Sequence, residues 1–230
     1  MENYFNYAKV KQYLENPAVK TVITLSVWAL IFVLVFWLIR LFSTPRYYRT
    51  VKPVSDGQVS QYLTNYILPE LHNKSQYGQP FDIVLSQDGI NDIIVRHIDA
   101  DSLHRAGFSD LSVTFKKGKL LVTGKTSYYG LDFITTAVLK PYIDKKGRFR
   151  PGVADVLAGK SSIPFADEIL KRRILDRLAS ISDDSNIAGV VGTLFSGEKT
   201  EPVFKLNNKK LRIEEITIRN GEVAINFLPQ

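Results

Sequence analysis

Apolar residues run without interruption through one long segment near the N-terminus. Residues 21–39 contain no charged side chain, and Lys20 and Arg40 bracket them. An α-helix rises about 1.5 Å per residue, so about 20 residues cross the roughly 30 Å hydrocarbon core of a bilayer. The segment is apolar on all sides, whereas a surface helix of a soluble protein is apolar along one stripe. The pattern predicts a single transmembrane helix over residues 19–42.

A cleaved signal peptide is the alternative reading of this segment, and the sequence argues against it. The apolar run exceeds the roughly 7–15 residues of a signal-peptide core, and no small-residue cleavage pattern follows it. We therefore expect a retained anchor that follows an N-terminal tail of residues 1–18. Four aromatic residues near its C-terminal edge suit an interfacial belt: Trp37, Phe42, Tyr47 and Tyr48.

Beyond a linker predicted over residues 43–56, the pattern of residues 57–230 mixes helical and strand periods. Helices are predicted from Asp56 to about Leu68, from Ser86 or Asp88 to about Ile98, and over residues 165–180. Strands are predicted over residues 81–85, 111–126 (a hairpin), 130–141, 149–159 (interrupted by Pro151 and Gly152) and 211–227, the last a hairpin around Asn220-Gly221. The fold class is therefore α+β: a curved antiparallel sheet, a meander plus a C-terminal hairpin, with one or two helices packed on it.

The predicted strand over residues 130–141 is apolar on both faces. One face covers the core of the sheet, and the other requires another element or an apolar ligand. We expect an elongated apolar groove between sheet and helix. Its predicted lining is Leu131, Phe133, Leu139, Ile169 and Ile174. The alternative is simple burial of the helix on the sheet, without a cavity.

Composition narrows the class of partner. The 230 residues carry a formal net charge of +7 and no cysteine, so disulfide and thiolate chemistry are excluded. A mild positive charge suits proximity to anionic lipid headgroups. The basic residues form no stripe interleaved with aromatics, so a nucleic-acid partner is not expected. The expected partners are the lipid bilayer, a lipid ligand and a protein of the cell envelope.

The sequence contains none of the common catalytic signatures, such as a phosphate-binding loop or a nucleophile elbow. One cluster has metal-ligand spacing: His97, Asp99, Asp101 and His104. A metal-dependent enzyme built on it is a hypothesis, and a solvated helix end with a loop is the alternative. Asn91 lies between apolar neighbours and is expected to bond to a strand end or a turn. We predict a protein that is not an enzyme and that needs no cofactor.

A family resemblance adds to this interpretation. Residues 81–94, FDIVLSQDGINDII, resemble the strand-then-helix opening of YpmS-like bacterial membrane-anchored proteins. The closing segment, LRIEEITIRNGEVAINF, resembles the last hairpin of LmeA-like phospholipid-binding proteins. The resemblance rests most specifically on Asn91, Gly147, Pro164 and Gly221. It implies a half-barrel sheet with a long helix, akin to the tubular lipid-binding superfamily.

Two observations bear on orientation and function. The basic residues after the anchor, Arg40, Arg46, Arg49 and Lys52, slightly favour a cytoplasmic C-terminal side. The resemblance implies the opposite, an extracytoplasmic domain of a single-pass membrane protein, and we follow it. The resulting hypothesis is a non-enzymatic envelope protein that binds lipid or another apolar ligand. The alternative is a scaffold subunit of an envelope or secretion assembly.

Overall fold

The computed structural model describes residues 16–51, 59–98, 100–105, 107–128, 130–150, 152–162, 201–206 and 209–230. The chain divides into two units, residues 1–41 and 42–230. The predicted helix over residues 165–180 lies outside the described residues, and so do Asp56, Asp99, Pro164, Ile169 and Ile174.

The first unit consists, in its described part, of helix α1, Pro17–Phe42. Asn16 begins the helix, because its Oδ1 accepts the backbone N–H of Ala18 at 3.0 Å. Its 26 residues extend about 39 Å, and none of them is buried. The helix is long enough and apolar enough to span a membrane, which confirms the predicted position of the segment.

The first helical segment of the second unit contains a proline. It comprises a π-helical stretch, Leu63–Ile67, and helix α2, Leu68–Ser75. Pro69 lacks a backbone N–H, and its ring cannot fit an undisturbed preceding α-helical turn. The wider π-turn accommodates the ring, so the helix continues beyond its predicted end near Leu68.

Helix α3, Gln87–His97, begins at Ser86, the first of its two predicted starts, whose hydroxyl accepts the N–H of Gly89 at 3.1 Å. The short helix α4, Ala100–Arg105, follows in a region predicted as loop. The hydroxyl of Ser60 donates to Asp92 at 2.5 Å and joins the two helical segments. That hydrogen bond, together with Arg96, lowers the pKa of Asp92.

Five strands form an antiparallel sheet in the order β2-β3-β4-β7-β8. Its strands are β2 Phe108–Lys116, β3 Lys119–Tyr128, β4 Leu131–Leu139, β7 Val153–Ala158 and β8 Ser161–Ser162. Between β4 and β7 lies a small hairpin, β5 Tyr142–Ile143 with β6 Phe149–Arg150. The interruption predicted within residues 149–159 is confirmed: β6 and β7 are separate strands, and Gly152 between them takes φ +58°.

Four other strands form a second antiparallel sheet in the order β1-β11-β10-β9. They are β1 Phe81–Ser86, β9 Val203–Leu206, β10 Lys209–Arg219 and β11 Glu222–Pro229. The turn between β10 and β11 is Asn220-Gly221, with Gly221 at φ +79°, as the sequence predicts. The α+β class is confirmed. The C-terminal hairpin, however, lies in the second sheet with β1 and β9 and does not extend the meander.

The two sheets share one core. It includes Leu103 of α4, Phe115 of β2, Leu139 of β4 and Val223 of β11. Apolar side chains of α3 cover this core. Burial of these side chains from both sheets and both helices accounts for the packing of the described part of residues 42–230 into one body.

Candidate functional site

Strand β4 is buried on both faces over most of its length, as predicted from its two-sided apolarity. One face carries Leu131, Phe133 and Leu139, three of the predicted ligand-lining residues. Leu139 is only 2% exposed and belongs to the shared core. A ligand therefore has no access to Leu139 without displacement of core side chains.

Leu131 and Phe133 lie at the end of β4 opposite to Leu139. Leu131 is 57% exposed, and Phe133 is half-buried on the same face. The next residue on this face, Thr135, is buried and shares a hydrogen bond of 3.1 Å with Thr126. The apolar face is therefore open at its outer end and closed from Thr135 onward. Ile169 and Ile174 lie outside the described residues, so the proposed groove stays a prediction.

The second face of the five-stranded sheet is polar at its centre. Ser112, Thr123 and Thr136 lie side by side on adjacent strands and are at most 2% exposed. The hydroxyls of Thr123 and Thr136 are 3.1 Å apart, and Ser112 donates to the carbonyl oxygen of Thr123 at 3.5 Å. We call these three residues the hydroxyl row. A buried row of hydroxyls requires hydrogen-bond partners.

The segment that directly follows the apolar helix supplies such partners. We call residues 43–51 the tyrosine segment. Tyr47 donates to Thr136 of the hydroxyl row at 3.2 Å, and its backbone carbonyl accepts the hydroxyl of Thr114 at 3.3 Å. Tyr48 donates to Asp110 at 2.5 Å. The second face of β4 is thus covered, at least in part, by the chain itself.

The hydroxyls that attach the tyrosine segment to the sheet have pKa values above the ordinary value of a phenol. Burial raises the pKa of the Tyr48 phenol, and its hydrogen bond to Asp110 raises it further. Burial also raises the pKa of Tyr47. Both tyrosines therefore remain neutral donors at physiological pH. Asp110 is buried, and its other oxygen accepts the backbone N–H of Lys125 at 2.8 Å.

The predicted interfacial belt therefore needs revision for two of its members. Tyr47 and Tyr48 bond to the sheet through their hydroxyls, and part of the predicted linker is packed structure. Sequence reasoning missed this role because the partners, Thr136 and Asp110, are 89 and 62 positions away. The alternation of Ser and Thr along β2, β3 and β4 was the available signal.

The histidine–aspartate cluster forms no metal site among the described residues. No group of three or more metal-ligating side chains occurs in the part of the chain that the structure describes. Asp101 and His104 are exposed on α4, and Asp99 lies outside that part. The buried Nε2 atom of His97 has no hydrogen-bond partner among the described residues.

Asn91 has the structural role that the sequence predicts. Its amide accepts the N–H of Val113 at 2.7 Å and donates to the carbonyl of Val113 at 2.9 Å. It thereby acts as a strand partner on the edge of β2. Asn91 is consequently occupied by the fold and is not a ligand-binding residue.

No family model, no curated protein and no solved structure matches this chain. The class that its own geometry defines is an α+β protein with an N-terminal helix long and apolar enough to cross a membrane.

Proposed function

We propose that the chain is a membrane-anchored, non-enzymatic protein of the cell envelope that binds a lipid or another apolar ligand. The observation that carries the proposal is the open outer end of β4, where exposed Leu131 adjoins half-buried Phe133. Exposed apolar side chains next to a closed core offer a surface to an acyl chain. The lining predicted from the sequence also includes Ile169 and Ile174, which lie outside the described residues.

Two further features support this function. The apolar helix α1 provides the anchor, and only residues 43–46 separate its end from Tyr47, which is bonded to the sheet. The resemblance to YpmS-like and LmeA-like proteins supports an extracytoplasmic domain and a phospholipid as the ligand class. Both inferences belong to the proposal.

Photocrosslinking tests the proposed ligand surface. The full chain is reconstituted in nanodiscs with a photoactivatable fatty acid, and the adducts are located by mass spectrometry after trypsin digestion. We expect adducts on the tryptic peptide of residues 126–145, which contains Leu131 and Phe133, because trypsin does not cleave the bond between Lys140 and Pro141. Phe133→Asp should remove them, because a carboxylate opposes contact with an acyl chain.

The matched control is Val84→Asp, since Val84 is also an exposed apolar strand residue but lies in the other sheet. This variant should retain the adducts on the β4 peptide. Adducts confined to α1 in a folded chain, or equal adducts in the Phe133→Asp variant, would contradict the proposal.

A second candidate, a scaffold subunit, is favoured by exposed aromatic residues around α2. Tyr66 is 65% exposed and Tyr77 is 79% exposed, and aromatic residues are enriched at protein interfaces. A photocrosslinking amino acid at position 66 should then give one discrete protein adduct in cells. The same amino acid at Tyr142, exposed elsewhere on the domain, should not. Identical adducts at both positions would count against a scaffold.

A further inference from the structure

Lysines from separate stretches of the sequence meet at one end of the five-stranded sheet. The turn between β2 and β3 carries Lys116, Lys117 and Lys119. The last residue of β4 pairs with the second residue of β3, so Lys140 lies beside Lys119 at the same end of the sheet. The backbone N–H of Lys140 donates to the carbonyl of Gly152 at 2.8 Å and holds this position against the start of β7.

The β5–β6 hairpin adds two more lysines directly after Lys140. Its turn is fixed by Asp144, whose Oδ1 accepts the N–H groups of Lys146 at 2.8 Å and of Arg148 at 3.0 Å. Gly147 completes the turn at φ +70°. The backbone geometry therefore presents Lys145 and Lys146 on a defined tip rather than on a loose loop.

Six exposed lysines make up what we call the basic end: Lys116, Lys117, Lys119, Lys140, Lys145 and Lys146. Among the described residues, none of them forms an ion pair. Three carboxylates on the neighbouring turns and strands, Asp144, Glu214 and Glu222, are each bridged to an arginine. The six charges of the basic end are therefore not neutralised by ion pairs within the described residues, and their sum approaches the net charge of the whole chain, +7.

The opposite end of the same sheet differs in charge. There Lys125 is paired with Asp132 at 2.7 Å, and Asp110 is buried against Tyr48. The charge distribution along the sheet is thus strongly one-sided. A local positive field of this kind attracts an anionic surface over about one Debye length, roughly 10 Å at moderate salt.

We propose that the basic end binds the anionic headgroups of the membrane in which α1 is anchored. The anchor keeps the domain next to a lipid surface, since residues 43–46 alone connect α1 to Tyr47. Exposed Tyr142 lies between Lys140 and Lys145, and its amphipathic ring suits the headgroup level. The proposal rests on the anchor and does not depend on the apolar ligand at β4.

Lysine footprinting on the full chain tests this assignment. The chain is reconstituted in nanodiscs of phosphatidylcholine alone, or of phosphatidylcholine with phosphatidylglycerol, and acetylated with a soluble amine reagent. We expect the six lysines to react severalfold more slowly in the anionic nanodiscs. Lys205 and Lys210, two exposed lysines paired across β9 and β10, serve as internal controls and should react equally in both. High salt should abolish the difference.

Charge reversal sharpens the test. Each basic residue near an anionic surface contributes about a fivefold factor in binding, so Lys145→Glu with Lys146→Glu should remove most of the protection of the other four lysines. The matched pair Lys205→Glu with Lys210→Glu should preserve it. Circular dichroism verifies that both variants are folded.

Three outcomes would overturn the proposal. The first is equal reactivity of the basic end in the two nanodiscs. The second is an equal slowing at Lys205 and Lys210, which would show only a diffuse attraction. The third is protection by inorganic phosphate or by an oligonucleotide in neutral nanodiscs without protection by anionic lipid, which would assign the site to a soluble anion or to nucleic acid.

Discussion

Tyr47 and Tyr48 show how one residue type suits two environments. A tyrosine offers an apolar ring and a polar tip, which fit both a membrane interface and the buried hydroxyls of a sheet. The sequence places both residues a few positions after the apolar helix, where either role fits. The structure shows partners on distant strands, Thr136 and Asp110. Such long-range pairing cannot be inferred from local pattern.

Replacing Tyr48 with Phe should lower the free energy of unfolding of the domain by about 1–3 kcal/mol, because Asp110 loses a donor where it is only 4% exposed. Urea unfolding followed by tyrosine near-ultraviolet circular dichroism measures this. The matched control, Tyr142→Phe, alters an exposed phenol and should change the stability by less than about 0.5 kcal/mol. Equal stabilities of the two variants would show that the Tyr48–Asp110 bond contributes nothing.

The same hydrogen bond gives a prediction for alkaline pH. Because the folded pKa of Tyr48 is raised, its contribution is present below the ordinary phenol pKa of about 10 and is lost as pH rises toward the folded value. Wild-type stability should therefore decline above about pH 10 more steeply than that of Tyr48→Phe. Parallel declines for the two proteins in urea titrations would show that ionisation of Tyr48 does not cause the loss of stability.

Asn91 was predicted to have a structural role, bonding to a strand end or a turn; the structural role is confirmed, but its two bonds go to Val113 in the middle of β2. Asn91→Leu should lower the free energy of unfolding by about 2–3 kcal/mol, because it leaves both backbone groups of buried Val113 unpaired. Gln87→Ala removes one bond, to the N–H of Phe115, and should cost less. A reversed order of the two variants in urea unfolding would contradict this account.

Short-range signals predicted several elements correctly. Ser86 begins α3 and Asn220-Gly221 forms the turn of the C-terminal hairpin, because capping and turn chemistry are properties of adjacent residues. The division into two sheets was not predictable in this way. It depends on β1 pairing with β11, across more than 130 positions, and on the short strand β9.

The contact between α3 and the preceding helical segment depends on a glycine. A Cβ placed on Gly89 would collide with the ring of Tyr62. Gly89→Ala should therefore destabilise the domain by about 1–3 kcal/mol. The penalty should shrink in a Tyr62→Ala background, which removes the ring. A double-mutant cycle by urea unfolding measures this coupling, and strict additivity would disprove the proposed clash.

The β5–β6 hairpin should be sensitive to acid. Backbone N–H groups of Arg148 and Lys146, with the guanidinium groups of Arg148 and Arg150, lower the pKa of Asp144. A lowered folded pKa gives stability that is present above the ordinary carboxyl pKa of about 3.9 and is lost as pH falls below it. The stability difference between wild type and Asp144→Asn should therefore be largest near neutral pH and shrink in acid.

Urea unfolding at a series of pH values measures this difference. Asp88→Asn is the control, because Asp88 is an exposed carboxylate 3.7 Å from Arg49, and exposed pairs contribute little. A constant difference for Asp144→Asn between neutral and acidic pH would exclude the carboxylate as its source.

At the scale of the whole molecule, the two sheets are joined along the edge of β2. Three backbone N–H groups donate across the junction. That of Lys117 donates to Asn220 Oδ1 at 3.1 Å, that of Gly118 to the carbonyl of Ile218 at 3.0 Å, and that of Gly221 to the carbonyl of Phe115 at 3.2 Å. These bonds and the shared core link the sheets into one cooperative unit.

The basic end could not be predicted from composition, because only the strand register brings its lysines together.

The connection between the two sheets predicts that they unfold together. In hydrogen exchange, the slowest amides of β3 and of β11 should share one opening free energy, and Asn91→Leu should lower both equally. Two distinct opening free energies, with only the β3 value changed by the substitution, would show that the sheets are independent subdomains.

The tyrosine segment also determines how a mechanical load enters the domain. A pull on the domain against the anchor travels along the backbone from α1 to Tyr47 and Tyr48, whose side chains are bonded to β4 and β2. Tension along this path therefore reaches the central strand β4 and the start of the edge strand β2 before it reaches the helical segment that follows in the chain. Under stretch, the two phenol bonds and the bond between Thr114 and the Tyr47 carbonyl oppose separation of the tyrosine segment from the sheet.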